Sequence, residues 1–313
     1  MGANKFFFSQ KGGGSPFIAT FRTTTDNEGV VLPYLSSGTY SGNIDWGDGT
    51  ITPNNYFNRT HTYALAGNYN ITIKGKIFEF GRDFSTAYSN TLINISQWGN
   101  NFDFGYQSNP FQQMNSLFNI SAIDTPKTSV LTSMQNFMYK SLNANCLNAD
   151  LSNWDVSNIT NFRNAFQQTY FNGNIGNWDV SSVLSFQNTF YSCSNFNQDL
   201  SNWNTESCTT FRGMFLNATS FNQDISNWNF SNVNNTNSFF DFMRGKSQAN
   251  YDATYYDNLL IKWASDESVG GLPIGVVGEI DMGTIKYTSA GASARQSILD
   301  NNKATIVTDG GQI

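Results

Sequence analysis

From residue 150 onward, apolar and polar positions recur in a fixed frame. The segment DLSNWDVSNITNF at 150–162 returns as NIGNWDVSSVLSF at 174–186, then more loosely as DLSNWNTESCTTF at 199–211 and DISNWNFSNVNNT at 224–236. Aligned on tryptophan, the copies place Trp154, Trp178, Trp203 and Trp228 at intervals of 24, 25 and 25 residues. The stretch before each tryptophan, led by Leu151, Ile175, Leu200 and Ile225, alternates apolar with polar residues and predicts a short half-buried strand. After each tryptophan come Ile159, Phe162 and Phe166, then Val183, Phe186 and Phe190, Cys208, Phe211 and Phe215, and Val233, Thr236 and Phe240. Their offsets of 0, 3 and 7 predict one face of a short helix. A second aromatic, Phe171, Phe196 or Phe221, followed by Asn-Gly or Asn-Gln-Asp, predicts the turn back to the next strand.

A unit of this size cannot bury its apolar face alone, so the expected architecture is a solenoid in which neighbours cover one another. Its core would consist of Trp154, Trp178, Trp203 and Trp228 with Phe166, Phe190, Phe215 and Phe240. The pattern extends upstream in degraded form, through ISQWG at 95–99, the set Phe111, Met114 and Phe118, and the set Leu131, Met134 and Met138, giving about six coils between residues 93 and 243. Pro126 stands where the second of these coils would carry its tryptophan and is expected to distort it.

Before residue 90 the period changes. The runs FIATF, GVVLPYL, GNIDWGDGT and HTYALAGNYNITIKG are short strands separated by Gly, Asn, Asp and Thr, as in an all-β sandwich. After residue 243, YDATYYDNLLIKW at 251–263 and TSAGASARQSILDNN at 288–302 predict helices, the second with a stripe through Ala292, Ile298 and Leu299, and KATIVT predicts a strand. The expected fold class is α+β. A docking segment spans 1–15, a β-sandwich 16–90, a solenoid of about 25-residue repeats 91–243, and a helical C-terminal cap 244–313.

Composition narrows the function classes. Of 313 residues, 39% are hydrophobic and 15% aromatic, enough to fill such cores, yet only 13% are charged. A net charge of −6 lacks the basic footprint that a phosphate backbone requires, which excludes nucleic acid as the expected partner. Cys146, Cys193 and Cys208 form no Cys-x-x-Cys pair, and Cys208 replaces Val183 and Val233 of other copies as a small buried residue. No run approaches a membrane span, and the start at Met1 has no secretory-signal pattern.

Candidate chemistry is sparse. The chain has one histidine, His61, accompanied by no nucleophile or phosphate-loop motif, and its expected role is a hydrogen bond within the sandwich. Asp45 and Asp48 flank a glycine turn that offers calcium two carboxylates, fewer than the ion prefers, so ordinary turn chemistry is the stronger reading and no cofactor is expected. Asp155 and Asp179, replaced by Asn204 and Asn229, are expected to form a mutually bonded ladder rather than a glycosidase pair. Carbohydrate stacking would use aromatics outside the repeat frame, with Tyr106, Tyr255 and Tyr256 as candidates.

Two stretches resemble known families. DWGDGT at 45–50 followed by HTYALAGNYNITI at 61–73 resembles the polycystic-kidney-disease (PKD) type of β-sandwich, with Asp45, Trp46, Gly47, Asp48, Gly49, His61 and Tyr63 at its motif positions. The repeats, with FNQDLSNWN and FRGMF, resemble BspA-like leucine-rich-repeat surface proteins, and YDNLLIKWA with ARQSILDNNKATIVTDGG resembles their C-terminal ending. The resemblance implies a non-enzymatic adhesin, of a kind found on bacterial surfaces and among phage virion proteins. Without an export signal at Met1, the expectation is a phage capsid-decoration or tail component at the virion surface, the alternative being a secreted bacterial cell-surface adhesin. The implied partners are other virion proteins and a host-surface glycan or protein, with a homo-oligomer as an option and no membrane insertion. Phe6, Phe7 and Phe8 beside the glycine hinge would dock the protein onto the particle.

Overall fold

The computed structural model describes residues 14–81, 91–106, 109–113, 119–141 and 149–313. Phe6, Phe7 and Phe8, together with Met114, Phe118 and Cys146, lie outside the described residues.

The N-terminal part is sheet on sheet. Strand β1 (Phe17–Thr23) buries every second side chain, so Phe17, Ala19 and Phe21 point inward. It pairs antiparallel with β7 (Gly67–Lys74), which pairs in turn with β4 (Asn43–Asp45), and β4 with β5 (Ile51–Pro53). A second sheet holds β3 (Tyr34–Tyr40) against β8 (Ile77–Phe80), and β2 (Glu28–Val31) with β6 (Thr60–Tyr63) forms a ribbon.

Both sheets run on into the repeats. Strand β9 (Leu92–Gln97), just past the boundary expected near residue 90, pairs antiparallel with β1, and β11 (Asn119–Ile120) then pairs parallel with β9. In the other sheet β10 (Phe102–Asp103) pairs parallel with β8, setting Phe102 opposite Ile77 at an interval of 25 residues. Parallel bridges continue the stacking from Asp103 to Lys127 and along Ser133, Asn161, Ser185 and Thr210. The 25-residue period therefore begins inside the sandwich.

The expected α+β class, with its leucine-rich-repeat-like solenoid of strand–turn–helix units and a helical cap, is overturned. Among the described residues the chain is mainly sheet and turn, and its two α-helices both follow residue 252. The segment 162–168 is not helical because Asn164 and Gln168 are left-handed, at φ 58° and 55°. The same two positions recur as left-handed Asn136 and Lys140, Asn188 and Ser192, then Gly213 and Asn217. Each segment folds as two successive tight turns, with the Ala165 and Gln167 amides bonding back to Phe162 and Asn164. The amides of Phe162, Asn164, Phe166 and Gln168 face the following copy and donate to its carbonyls at 185, 187, 189 and 191. The offsets that mimic a helical face thus come from a turn pair that still points two aromatics inward.

Two frames also shift. Phe215 bonds to the carbonyl of Phe242 and so lies opposite Met243, while Phe211 faces Phe239. The last copy is longer, so buried Phe239 and Met243 take the core positions, and Phe240 is half-exposed under the Arg212 guanidinium. Upstream, Phe111 bonds to Phe137 and aligns with Met138 and Phe166, the third rather than the first position of its set.

The C-terminal segment holds the two expected helices and a strand at KATIVT, and a further strand between the helices makes it mixed rather than a helical cap. Helix α1 (Ala253–Ala264) is N-capped by Asp252, which accepts from the Thr254 amide. Strand β12 (Val277–Asp281), helix α2 (Ser289–Asp300) and strand β13 (Ala304–Thr308) follow, with the two strands parallel. The last copy bonds to β12 through Gly278 to Thr236 and Met243 to Asp281, so the stack ends on a sheet.

Candidate functional site

The sandwich turn gathers the motif residues. Gly47 is left-handed and a side chain there would meet the Asn70 carbonyl, so the turn requires glycine. The Trp46 indole is buried and donates to Thr52 Oγ1 at 3.0 Å, and Tyr63, also buried, donates its hydroxyl to the Trp46 carbonyl at 2.7 Å. The His61 ring stacks on Trp46 and lies 2.7 Å from Asp48 Oδ2. Asp45 Oδ1 accepts from the Gly47 amide and Asp48 Oδ1 from the Thr50 amide. Burial opposes ionisation of Asp48, but its bonds from His61 and Thr50 outweigh this and hold the carboxyl below its usual range. Asp45, Asp48 and His61 are thus engaged in holding the turn, and Gly49 is left-handed with open space around it. Among the described residues no cluster of three His, Cys, Asp or Glu could hold a metal.

In the repeats, the recurring side chains serve the stack itself. Trp154, Trp178, Trp203 and Trp228 are buried. The indole N–H groups of Trp178, Trp203 and Trp228 donate to the carbonyls of Leu151, Ile175 and Leu200 in the preceding copy, at 2.8, 3.0 and 2.9 Å. Phe166, Phe190 and Phe215 are buried and stack at 5.7 Å between successive rings. Asn172, Asn197 and Asn222 each accept a backbone amide of the next turn of chain at 2.8 Å, which accounts for the recurring Asn after Phe. Asp155 and Asp179 do not bond to each other. Each accepts from the amide and hydroxyl of its own Ser157 or Ser181, and Asn204 and Asn229 cap Glu206 and Ser231 in the same way.

Other groups give little to chemistry. Burial pushes the thiols of Cys193 and Cys208 up to about 12, against weaker hydrogen bonds, which keeps them protonated. Lys246, which the sequence pattern does not single out, is buried, and its ammonium donates to the carbonyls of Ala218, Thr219 and Phe221. Of the candidate stacking aromatics, Tyr256 is buried and bonded to Asp309, Tyr255 is half-buried, and Tyr106 is 68% exposed.

Residues 106–170 and 132–253 match a protein family described as Mycoplasma protein of unknown function, DUF285. The match falls on the repeats. No curated protein and no solved structure matches the chain.

Proposed function

We propose that this protein is a non-enzymatic adhesive scaffold, a PKD-like sandwich continued by BspA-like repeats, displayed on the surface of a phage particle as a capsid-decoration or tail component. One observation carries the reading. The recurring tryptophans and phenylalanines, the series Asn172, Asn197 and Asn222, and the hydroxyls of Thr160 and Thr209 are spent on the scaffold, while an outward position changes from exposed Arg163 to half-buried Gln187 to exposed Arg212. A framework of fixed bonds carrying a variable exterior suits multivalent contact with a host-surface glycan or protein. Weak contacts of this kind gain from avidity when many copies share one particle.

A second reading, the surface of a bacterial cell, draws support from the description of the matching family as a Mycoplasma protein. Mass spectrometry of purified particles beside washed cell envelopes separates the two. Stoichiometric abundance in particles supports the virion reading, confinement to envelopes supports the second, and absence from both overturns display at either surface. Under the virion reading, deleting residues 2–12 abolishes incorporation and leaves the repeats folded; unchanged incorporation removes the docking role of Phe6, Phe7 and Phe8.

A further inference from the structure

Where the sandwich passes into the first repeat, β8 and β10 lie side by side under a groove of about 440 Å³. Ser41, Gly75, Lys76 and Phe78 line it from the sandwich, and Asn101, Asp103 and Lys127 from the repeats. Tyr106 packs perpendicular to Phe78, one of the lining residues, with the ring centroids 6.0 Å apart and the planes at 86°. That contact holds the tyrosine beside the groove while the residue remains largely exposed, which offers aromatic surface for the C–H face of a sugar ring.

The charges in the groove are unequal. The Lys76 ammonium lies 5.1 Å from the Phe78 ring centroid. Among the described residues neither Lys76 nor Lys127 has a carboxylate within ion-pair distance. The groove's carboxylate, Asp103, is engaged by the Gly105 amide at 2.9 Å and the Ser129 hydroxyl at 3.0 Å. Two ammonium groups against one hydrogen-bonded carboxylate leave a positive site on a chain whose net charge is −6. Such a site draws an anion away from the rest of the surface. Asn101 is exposed, and Ser41 contributes a hydroxyl, so donors and acceptors for sugar hydroxyls stand beside the charges.

We propose that this groove between β8 and β10 binds a carboxylated saccharide, with Tyr106 stacking on a ring and Lys76 and Lys127 pairing with its carboxylate. The assignment rests on the adhesive reading above and gives it a contact point and a ligand class. It follows from the joining of the sandwich to the repeats within one sheet, since neither alone supplies both lysines.

Isothermal titration of the full chain with a hexameric polyuronate, with sialyllactose and with a neutral glucan hexamer tests the assignment. Binding of either acidic sugar, with the neutral hexamer at least tenfold weaker, is expected, and the preference between the two acids distinguishes uronate from sialate. Tyr106→Ala and the double variant K76A/K127A alter exposed side chains, and each is expected to weaken acidic-sugar binding by about tenfold or more. The lysine variant should also lose most of the salt dependence. Equal affinity for the neutral hexamer, an unchanged Kd in the lysine variant, or no binding of any of the three sugars overturns the site. Binding of labelled protein to host cells is measured in parallel. Undiminished cell binding by the combined variant Y106A/K76A/K127A removes this groove and leaves the adhesive reading standing, whereas no cell binding by the wild-type chain removes the reading itself.

Discussion

At the scale of single residues, the stack depends on polar groups buried among aromatics. The Trp203 indole fills a core position and satisfies the Ile175 carbonyl, two roles that substitution can separate. Trp203→Phe keeps an aromatic ring and removes one of the two bonds to the Ile175 carbonyl, which still accepts from the Trp178 amide at 3.2 Å, an expected loss of about 0.5–1.5 kcal/mol. Trp203→Ala opens a cavity as well and should cost about 3–5 kcal/mol; urea denaturation of both variants checks the order. Lys246 adds a dependence on pH. Burial pushes its ammonium down to about 7, whereas an unfolded lysine titrates near about 10.4. Between these values the unfolded chain holds more protons than the folded one, so this group's contribution makes stability rise with pH across that window. Below about pH 7 both states are protonated and the slope vanishes. The urea midpoint of the wild-type chain should therefore gain on that of Lys246→Met from pH 7 to pH 9, and a constant difference would show that the three carbonyls keep the amine charged throughout.

At the scale of elements, the left-handed corners set the shape of each repeat. Asn164 bonds through its side chain to Asn136 at 2.9 Å and to Asn188 at 3.3 Å while holding φ at 58°. Asn164→Ala removes the ladder and places a Cβ in a conformation it disfavours, whereas Asn164→Gly removes the ladder alone. Alanine is expected to be the more destabilising by about 1 kcal/mol, the reverse of the order in a helix, where glycine is the worse by a similar amount. Thermal denaturation of the two variants thus discriminates between corner and helix. This is also where the sequence was hardest to read. The tryptophan frame, the turn at Gly47 and the C-terminal helices were legible, because their signals are local: a recurrent large residue, a glycine pair, an amphipathic run. The corners were not, because apolar residues at Phe162 and Phe166 have the same spacing on a helix as across two tight turns. Only the backbone sign at Asn164 and Gln168 separates them. The longer last copy misdirected the reading to Phe240, since two adjacent phenylalanines offered a choice that packing makes in favour of Phe239. The groove beside Tyr106 was legible in its tyrosine alone, its lysines being brought together by strand pairing between residues far apart in the chain.

At the scale of the whole molecule, strand pairing decides how the parts share stability. Strand β1 lies between β7 and β9, so a single strand of the sandwich is hydrogen-bonded on one side to its own sheet and on the other to the start of the repeats. Buried residues form one connected core from Phe17 to Val307, passing through Trp98, whose ring meets both Phe17 and Trp154. Two domains joined by a linker would unfold separately, whereas two regions sharing a strand and a core lose stability together. Phe21→Ala, within β1 and distant in sequence from the repeats, tests this directly. It is expected to cost about 3–5 kcal/mol at its own site. Hydrogen exchange should then accelerate by a similar factor at the Ile73 amide in β7 and at the Phe190 amide, which bonds to Met214 deep in the repeats. Acceleration at Ile73 with an unchanged rate at Phe190 would place a seam between the regions, and the pairing of β1 with β9 would then be too weak to couple them.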